Sequence, residues 1–483
     1  MTDTDTIKRY LPWLVATALF MEQLDATIVN TAIPSIAASL DVTPLSLKSV
    51  VTSYILSLAV GIPVSGWMAD RFGTRRVFAT AIAIFTVASV LCGLAVNPQM
   101  MVAARLLQGL GGAMMMPVGR LSIIRTFPKS ELLKAMNFVI LPALIGPLLG
   151  PTVGGLIVHW TSWRVIFFVN VPVGLLALYL VLRHMPDYRG AEPRPLDAIG
   201  LILFGSGTAI LSWLLEVFGE HTLDAVTMGL MLVLSIALLA AYVWHARREQ
   251  FPLLRLTLLK VRTFRISVMG GFITRLGVGG LPFLLPLLYQ LGLKLPAWQS
   301  GLLMMPTAAA AMCMKLIAPK VLARFGYRQV LIVNTVCIGL TIGLFSLVGP
   351  ATPWYAIAGI GLLQGFFNSL QFSSMNTLAY ADIESKDSSM ASTIASSVQQ
   401  LSMSFGLAWG SLVTAWFLGR VPQTNQVMVT QALHHGFQAL AIVTVLSSFV
   451  FWRLRRNDGD SISRGTAKAA TAVAQDPAPL SQA

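Results

Sequence analysis

The chain has 483 residues, 55% hydrophobic and 11% charged, with a formal net charge of +14 at pH 7 and a mean hydropathy of +0.72. Soluble domains carry about 25% charged residues, so this composition excludes an ordinary water-facing globule. The basic excess falls into short gaps between apolar runs rather than onto one stretch, which excludes a nucleic-acid surface and fits loops beside a membrane.

Apolar runs such as 77–96, 228–244 and 330–348 have bilayer-spanning length and no charge, so lipid is their solvent. In chain order the hydropathy predicts spans at 11–36, 49–69, 77–96, 99–122, 135–158, 164–185, 197–218, 224–245, 264–291, 297–319, 328–348, 354–379, 388–419 and 432–452. That makes fourteen helices of an all-α polytopic membrane protein. The first span carries acids and is followed by no small-residue cleavage site, so it reads as a retained helix and not as a signal peptide.

Of the 34 Lys and Arg, 27 fall in or at the edges of the alternate gaps that begin with Lys8 and Arg9. Four lie in or at the edges of the opposite set: Lys48, Arg164, Lys294 and Arg420. The remaining three, Arg105, Arg275 and Lys315, fall inside spans away from their ends. This bias predicts that both termini are cytoplasmic. Residues 457–483 lack apolar periodicity and are expected to form a disordered cytoplasmic tail. Cys92, Cys313 and Cys337 lie in apolar runs with no ligand or disulfide spacing and read as small core residues.

In the first span, Glu22 and Asp25 are three residues apart and share a helix face. A carboxylate in the bilayer interior is costly when charged, and a nearby like charge adds to the cost. Such a position can take up a proton and release it when a cation arrives, or it can pair permanently with a cation to hold the bundle together. The fourth span buries Arg105 in "ARLLQGLGGAMMMPVGR", a cation that costs about 2.5–3.5 kcal/mol to insert and so needs a polar partner. Asn30, Gln108 and Gln364 add polar groups within spans and are candidate substrate contacts.

The loop "GWMADRFGTRR" (66–76) joins the second and third spans. Gly73 suits a tight turn, Gly66 suits close helix contact, and Asp70 can pair with arginines such as Arg71, Arg75 and Arg76. The cluster is a candidate gate that latches the inner ends of two halves. "ADRFGTRRV" at 69–77 is echoed by "ARFGYRQV" at 323–330, and "LLQG" at 106–109 recurs at 362–365. Order and spacing agree, which indicates a duplicated half with the substrate site between the copies. Ala323 stands where the first copy has Asp70. "GPLLGPTVGG" in the fifth span sets Gly146, Gly150 and Gly154 four residues apart, with Gly155, Pro147 and Pro151 alongside. That spacing lets two membrane helices touch at the backbone.

The 66–76 loop, the fourth-span arginine, the glycine-proline run, "WRVIFFVNVPVG" (163–174) and "LDATIVNTAIP" (24–34) together resemble the major facilitator superfamily, in its branch of drug:proton antiporters with fourteen helices. The resemblance implies two six-helix bundles, 1–185 and 263–456, separated by a linker (186–262) with an inserted helix pair at about 197–245. It implies that Asp25 is the coupling acid of the first helix, that Arg105 is tied to proton transfer, and that the 146–155 run is the antiporter motif. Glu22 stands outside the family motif.

The function expected is proton-coupled export of small amphipathic compounds by alternating access, from a monomer in the bacterial inner membrane. Its partners would be the substrate, protons and the lipid bilayer. Arg275, in "FITRLGVGGLPFLLP", has no acid in its own helix and leaves an alternative open: small organic anions or metal-carboxylate chelates held by Arg275 and Arg105. Otherwise Arg275 would pair with Glu22, Asp25 or Glu216. There is no Cys/His ligand spacing, GxSxG or phosphate-binding loop, so neither an enzyme, a metal nor a cofactor is expected.

Overall fold

The computed structural model describes residues 3–190, 195–217, 224–384, 387–419, 425–455 and 457–459. The expected tail is fastened at its start, where Asp458 pairs with Arg262, and residues 460–483, together with Arg194, Lys386, Arg420 and Arg456 and the side chains of Lys134 and Glu216, lie outside the described residues. No strand occurs among them. The helices are α1 (Asp3–Ser39), α2 (Lys48–Phe72), α3 (Thr74–Gly93), α4 (Pro98–Thr126), α5 (Lys129–Trp160), α6 (Val165–Phe168), α7 (Asn170–His184), α8 (Ala198–Val217) and α9 (Ala225–Ala246). After them come α10 (Arg262–Val278), α11 (Leu281–Leu287), α12 (Ala297–Phe325), α13 (Tyr327–Phe345), α14 (Trp354–Ala379), α15 (Ser388–Leu418) and α16 (Gln426–Phe451).

All fourteen expected segments are helical. Two are interrupted: α6 runs into α7 at Val169, and α10, α11 and a π-turn at Leu288–Gly292 share one span. That second break falls at Gly279–Gly280, just before Pro282, whose ring nitrogen cannot donate to the helix ladder. Eleven segments among the described residues are long and apolar enough to cross a bilayer unaided. The others are α1 with its acids, α14 with its row of amides, and α5, of which only Ile145–Trp160 reads as a shorter apolar helix.

Helices α1–α7 pack on one another, as do α10–α16. Between these groups, α5 packs on α12 and α2 on α15, while α8 pairs with α9 and rests on both α2 and α15. At the arginine-poor end one apolar cluster joins both groups, from Ile28, Ile33 and Trp163 to Leu284, Phe345 and Phe437. Toward the arginine-rich end the core divides. One cluster holds Leu11, Phe78, Phe85 and Val181, another Met314, Leu331, Leu378 and Phe451. A third lines the α2–α15 side beneath the inserted pair, with Ala59, Phe204, Tyr242 and Ile394. The halves are thus sealed together at the arginine-poor end, while toward the arginine-rich end their cores are distinct except along the α2–α15 side.

Gly73 and Gly326, the two repeat glycines, both have positive φ (95° and 74°) at the junctions α2–α3 and α12–α13. The echo in sequence is therefore an echo in backbone, since only glycine takes this conformation without strain. At Gly73 an added Cβ would also lie 2.2 Å from an Asp187 carboxylate oxygen.

Candidate functional site

Helix α1 begins at the arginine-rich end and carries Asp25 to the middle of the first half. Asp25 is wholly buried. Its carboxylate accepts from Arg105 Nη1 at 2.6 Å, Asn170 Nδ2 at 2.7 Å and Gln108 Nε2 at 3.0 Å. Arg105, also at 0% exposure, spends Nη1 again on Gln108 Oε1 (2.7 Å) and Nε on the Val50 carbonyl (3.3 Å). Its guanidinium lies 4.2 Å from the centroid of the Tyr54 ring. Asn170 continues the chain to Ser89 Oγ (3.0 Å), and Cys92 Sγ donates to Gln108 Oε1 at 3.7 Å. Five helices thereby converge on one ion pair. Removing two charges from water is costly, and such a pair persists only when its remaining donors and acceptors are met, as nearly all are here.

Asn170, Ser89, Cys92 and Tyr54 were not singled out from the sequence. Only Asn170 carried a signal, as the one amide within "FFVNVPVG". Cys92 belongs to the polar network and not merely to the core, Cys313 is exposed, and Cys337 is half-buried. The expectation of three core cysteines is corrected accordingly.

Glu22 does not join this network. It is 4% exposed, forms no ion pair among the described residues, and its Oε2 has no hydrogen-bond partner. Sharing a helix face therefore does not place the two acids in one site, because Arg105 approaches from α4 at the level of Asp25 alone. Arg105 Nη2 and the Asn30 side-chain oxygen are likewise buried without partners.

Gln108 and Gln364, expected as substrate contacts, are fully buried and engaged internally. Gln364 accepts from Thr341 and donates to Asn368 (3.1 Å). Below it Gln371 accepts from Asn334 (2.9 Å) and donates to Thr335 (2.6 Å). Neither glutamine offers a free group to a substrate in this conformation. Arg275 does. It is 6% exposed, stacks on Phe372 at 4.8 Å and donates weakly to Gln399 (3.3 Å), with no ion pair among the described residues. Asp25 is taken by Arg105, Glu22 stands unpaired, and the Glu216 side chain lies outside the described residues, so neither first-helix acid is its partner.

The loop at 66–76 is fastened within its own half. Asp70 pairs with Arg125 of α4 at 2.8 Å, and the following linker folds back on the loop. Thr74 N donates to Tyr188 O, Gly190 N to Asp70 O and Arg75 N to Asp187 Oδ1 (3.1 Å). The arginine-rich end also holds Lys8–Glu131 within the first half and Arg262–Asp458 within the second. The expected latch between halves is thus not engaged, which agrees with the divided core at that end. The reading of Gly66 as a close-contact glycine is corrected, because an added Cβ would meet nothing within 4 Å. Arg71 and Arg76 are exposed and Arg75 partly so.

The glycine run works on two faces of α5. Added Cβ atoms at Gly146, Gly150 and Gly154 would strike Gln23, Thr27 and Ile28 of α1 at 2.0–2.8 Å. One at Gly155 would lie 2.3 Å from the Ala297 carbonyl of α12, and Gly301 of α12 meets the Pro151 carbonyl equally closely. Thr152 Oγ1 donates to Gly301 O (3.2 Å), and Gln290 Nε2 to Thr31 O (2.9 Å). Pro147 and Pro151 lie inside the helix without ending it. This stretch is where the halves are bolted at the arginine-poor end. The apolar crevice there, lined by Leu45, Leu287, Leu291, Leu418 and Leu433, holds no ionisable group and is not the candidate site.

A family profile described as Major Facilitator Superfamily matches residues 15–407. A protein of Enterobacter sp. (strain 638) named "Putative multidrug resistance protein MdtD" is 39% identical over 472 residues, covering 97% of this chain and 99% of that one. Its namesake in Escherichia coli O9:H4 (strain HS) is 37% identical over 463 residues, covering 96% and 98%. Among solved structures, an inward-facing, unoccupied bacterial homologue of the human lysosomal transporter Spinster superposes with a TM-score of 0.67 at 12% identity, covering 92% of this chain and 96% of that one. A D-xylose-proton symporter gives 0.65 at 15% identity, covering 93% and 98%. These two likenesses are of fold. With the divided helical core, the buried ion network and this match, the chain belongs to the Major Facilitator Superfamily and is a multi-pass membrane transporter.

Proposed function

We propose that the protein is a proton-coupled exporter of small amphipathic compounds, working by alternating access as an antiporter in the bacterial inner membrane with both termini cytoplasmic. Residues 1–185 and 263–456 would be the moving bundles and 186–262 the linker carrying the inserted pair, in a monomer of fourteen spans. The observation that carries this reading is a core joined at one end and split at the other, around an ion network sealed within one half. An element with two stable packings is what alternating access needs. The names of the relatives, all from Gram-negative bacteria, support drug export.

Protein reconstituted in vesicles with an imposed proton gradient should move ethidium against its gradient, and a protonophore should collapse the movement. Moving one proton charge through 100 mV supplies about 2.3 kcal/mol. Asp25→Asn should stop gradient-driven transport, and since it leaves Arg105 a buried unpaired cation its rate is read per folded protein. Ethidium movement indifferent to the gradient would overturn the coupling.

A second reading concerns cargo. Arg275 is a buried cation with no ion pair among the described residues, and such a group repels cations and holds carboxylates. On this reading Arg275→Ala loses transport of a labelled dicarboxylate and spares ethidium.

A further inference from the structure

Two polar atoms near the ion network are left over. Glu22 lies one helical turn from Asp25 toward the arginine-rich end, about 4.5 Å along the axis. Its Oε2 is buried without a hydrogen-bond partner, and so is the hydroxyl of Tyr54 on α2, a residue 1% exposed. Both border the same spot. A Cβ added at Gly112 of α4 would lie 3.2 Å from the Tyr54 hydroxyl and 3.7 Å from Glu22 Cγ. The Tyr54 ring meanwhile carries the Arg105 guanidinium on its face at 4.2 Å. One phenol thus touches the ion pair with its face and reaches toward Glu22 with its edge.

Buried polar groups in native proteins are nearly always bonded, and an unbonded one marks a missing water, an ion or a working group. An ionised carboxylate here would lack the three donors that Asp25 enjoys. A proton on Glu22 removes that cost, and a carboxylic acid can then donate to the phenol oxygen. The charged or titratable groups that act on Glu22 are Arg120 of α4, Asp25 of α1 and Tyr54 of α2. The other helices packed on α1 add nothing at this level. Helix α5 has no ionisable residue between Lys134 and His159, α6 and α11 have none, α7 has none before Tyr179, and α12 none before Cys313.

We propose that Glu22, with the Tyr54 hydroxyl beside it in the space left by Gly112, is the exchangeable proton site of this transporter, and that Asp25 is the fixed counter-ion of Arg105. The proposal rests on the proton-coupled reading above. The step is a single protonation: a proton from water neutralises the Glu22 carboxylate when the halves part at the arginine-poor end, and leaves the same oxygen to water at the arginine-rich end when they part there instead. Tyr54 positions that proton. Asp25 keeps Arg105 neutralised throughout and exchanges nothing.

The test is infrared difference spectroscopy of the purified, reconstituted protein across a pH step, with the proton as the probe. The wild type should show the carbonyl stretch of a buried carboxylic acid. E22Q should lose it, D25N should keep it, and Y54F should fold normally and shift its frequency. Persistence of the band in E22Q, its absence from the wild type, its loss in folded D25N, or an unmoved band in Y54F overturns the assignment. Should E22Q not fold, the D25N and Y54F arms decide alone. Ethidium transport separates the two layers: transport that ignores a proton gradient in the wild type removes coupling but leaves a spectroscopic Glu22 site standing. Gradient-driven transport at full rate in E22Q removes the site and leaves coupling intact.

Discussion

The two halves share one backbone plan and bury opposite kinds of polarity. In the first, "LLQG" follows Arg105, and Gln108 helps hold a charged pair. In the second, the same four residues follow Gly361, and Gln364 belongs to a neutral ladder of amides and hydroxyls on α13 and α14. The buried cation of the second half is Arg275, which has no ion pair among the described residues. A duplicated scaffold therefore keeps its turns, with Gly73 and Gly326 both at positive φ, while its interior chemistry diverges. The first half pairs its buried cation with Asp25, whereas Arg275 of the second has no ion pair among the described residues.

The largest effect that would break this comparison is Arg105→Ala. It strands Asp25 as a buried, uncompensated carboxylate and should cost about 3–5 kcal/mol, read as a loss of thermal stability in detergent. Gln364→Ala in the neutral ladder should cost about 1–3 kcal/mol, the penalty of leaving the Asn368 side-chain oxygen without its donor, since the Thr341 hydroxyl keeps the Ile338 carbonyl. Equal losses at the two positions would mean that the halves are not electrostatically distinct.

Gly155→Val addresses the seam between the halves instead. A side chain directed at the Ala297 carbonyl must push α12 away, at about 1–3 kcal/mol. Crosslinking across the arginine-poor end should fall in this variant. Gly66→Ala, with open space at the same kind of small residue, should stay within about 0.5 kcal/mol of wild type.

The smallest effect concerns the inserted pair, which belongs to neither half. Asp197, just before α8, accepts from Gly200 N (2.7 Å), Leu253 N (2.9 Å) and His245 Nε2 (2.8 Å), tying the starts and ends of the pair together. Burial works to raise its pKa, but these donors outweigh burial and hold it below the usual carboxylate value. A depressed pKa stabilises the folded form above the ordinary aspartate range, near 3.9, and the contribution fades as pH falls through the lower folded value. Proteolytic access to the 247–255 segment should therefore rise only at acidic pH in the wild type. In Asp197→Asn it should be raised already at neutral pH.

Much of this was legible in one dimension. Membrane class, the helical segments, the duplication and the family all follow from residue order, because a span must be apolar over a bilayer's thickness and a positive-φ turn needs glycine. Arg105 announced that it needed a partner, since a lone cation in lipid is untenable. Which acid it would take was not readable. Glu22 and Asp25 have the same helical neighbourhood in sequence, and only the approach of α4 at one level of α1 separates them. Ser89 and Cys92 were silent because small polar residues occur in spans for many reasons, and Asn170 stood out only as the one amide of its run.

Residue order by itself determined what must be buried and where the chain must turn, because hydrophobic length and backbone torsion are local quantities. The tertiary structure alone decided which buried groups are satisfied: Asp25 bound by three donors, Gln108 and Gln364 drawn inward, Gly66 facing open space, Glu22 and Arg275 left over. Hydrogen-bond satisfaction depends on helices that lie far apart in the chain and meet at one depth, and no local pattern encodes that depth.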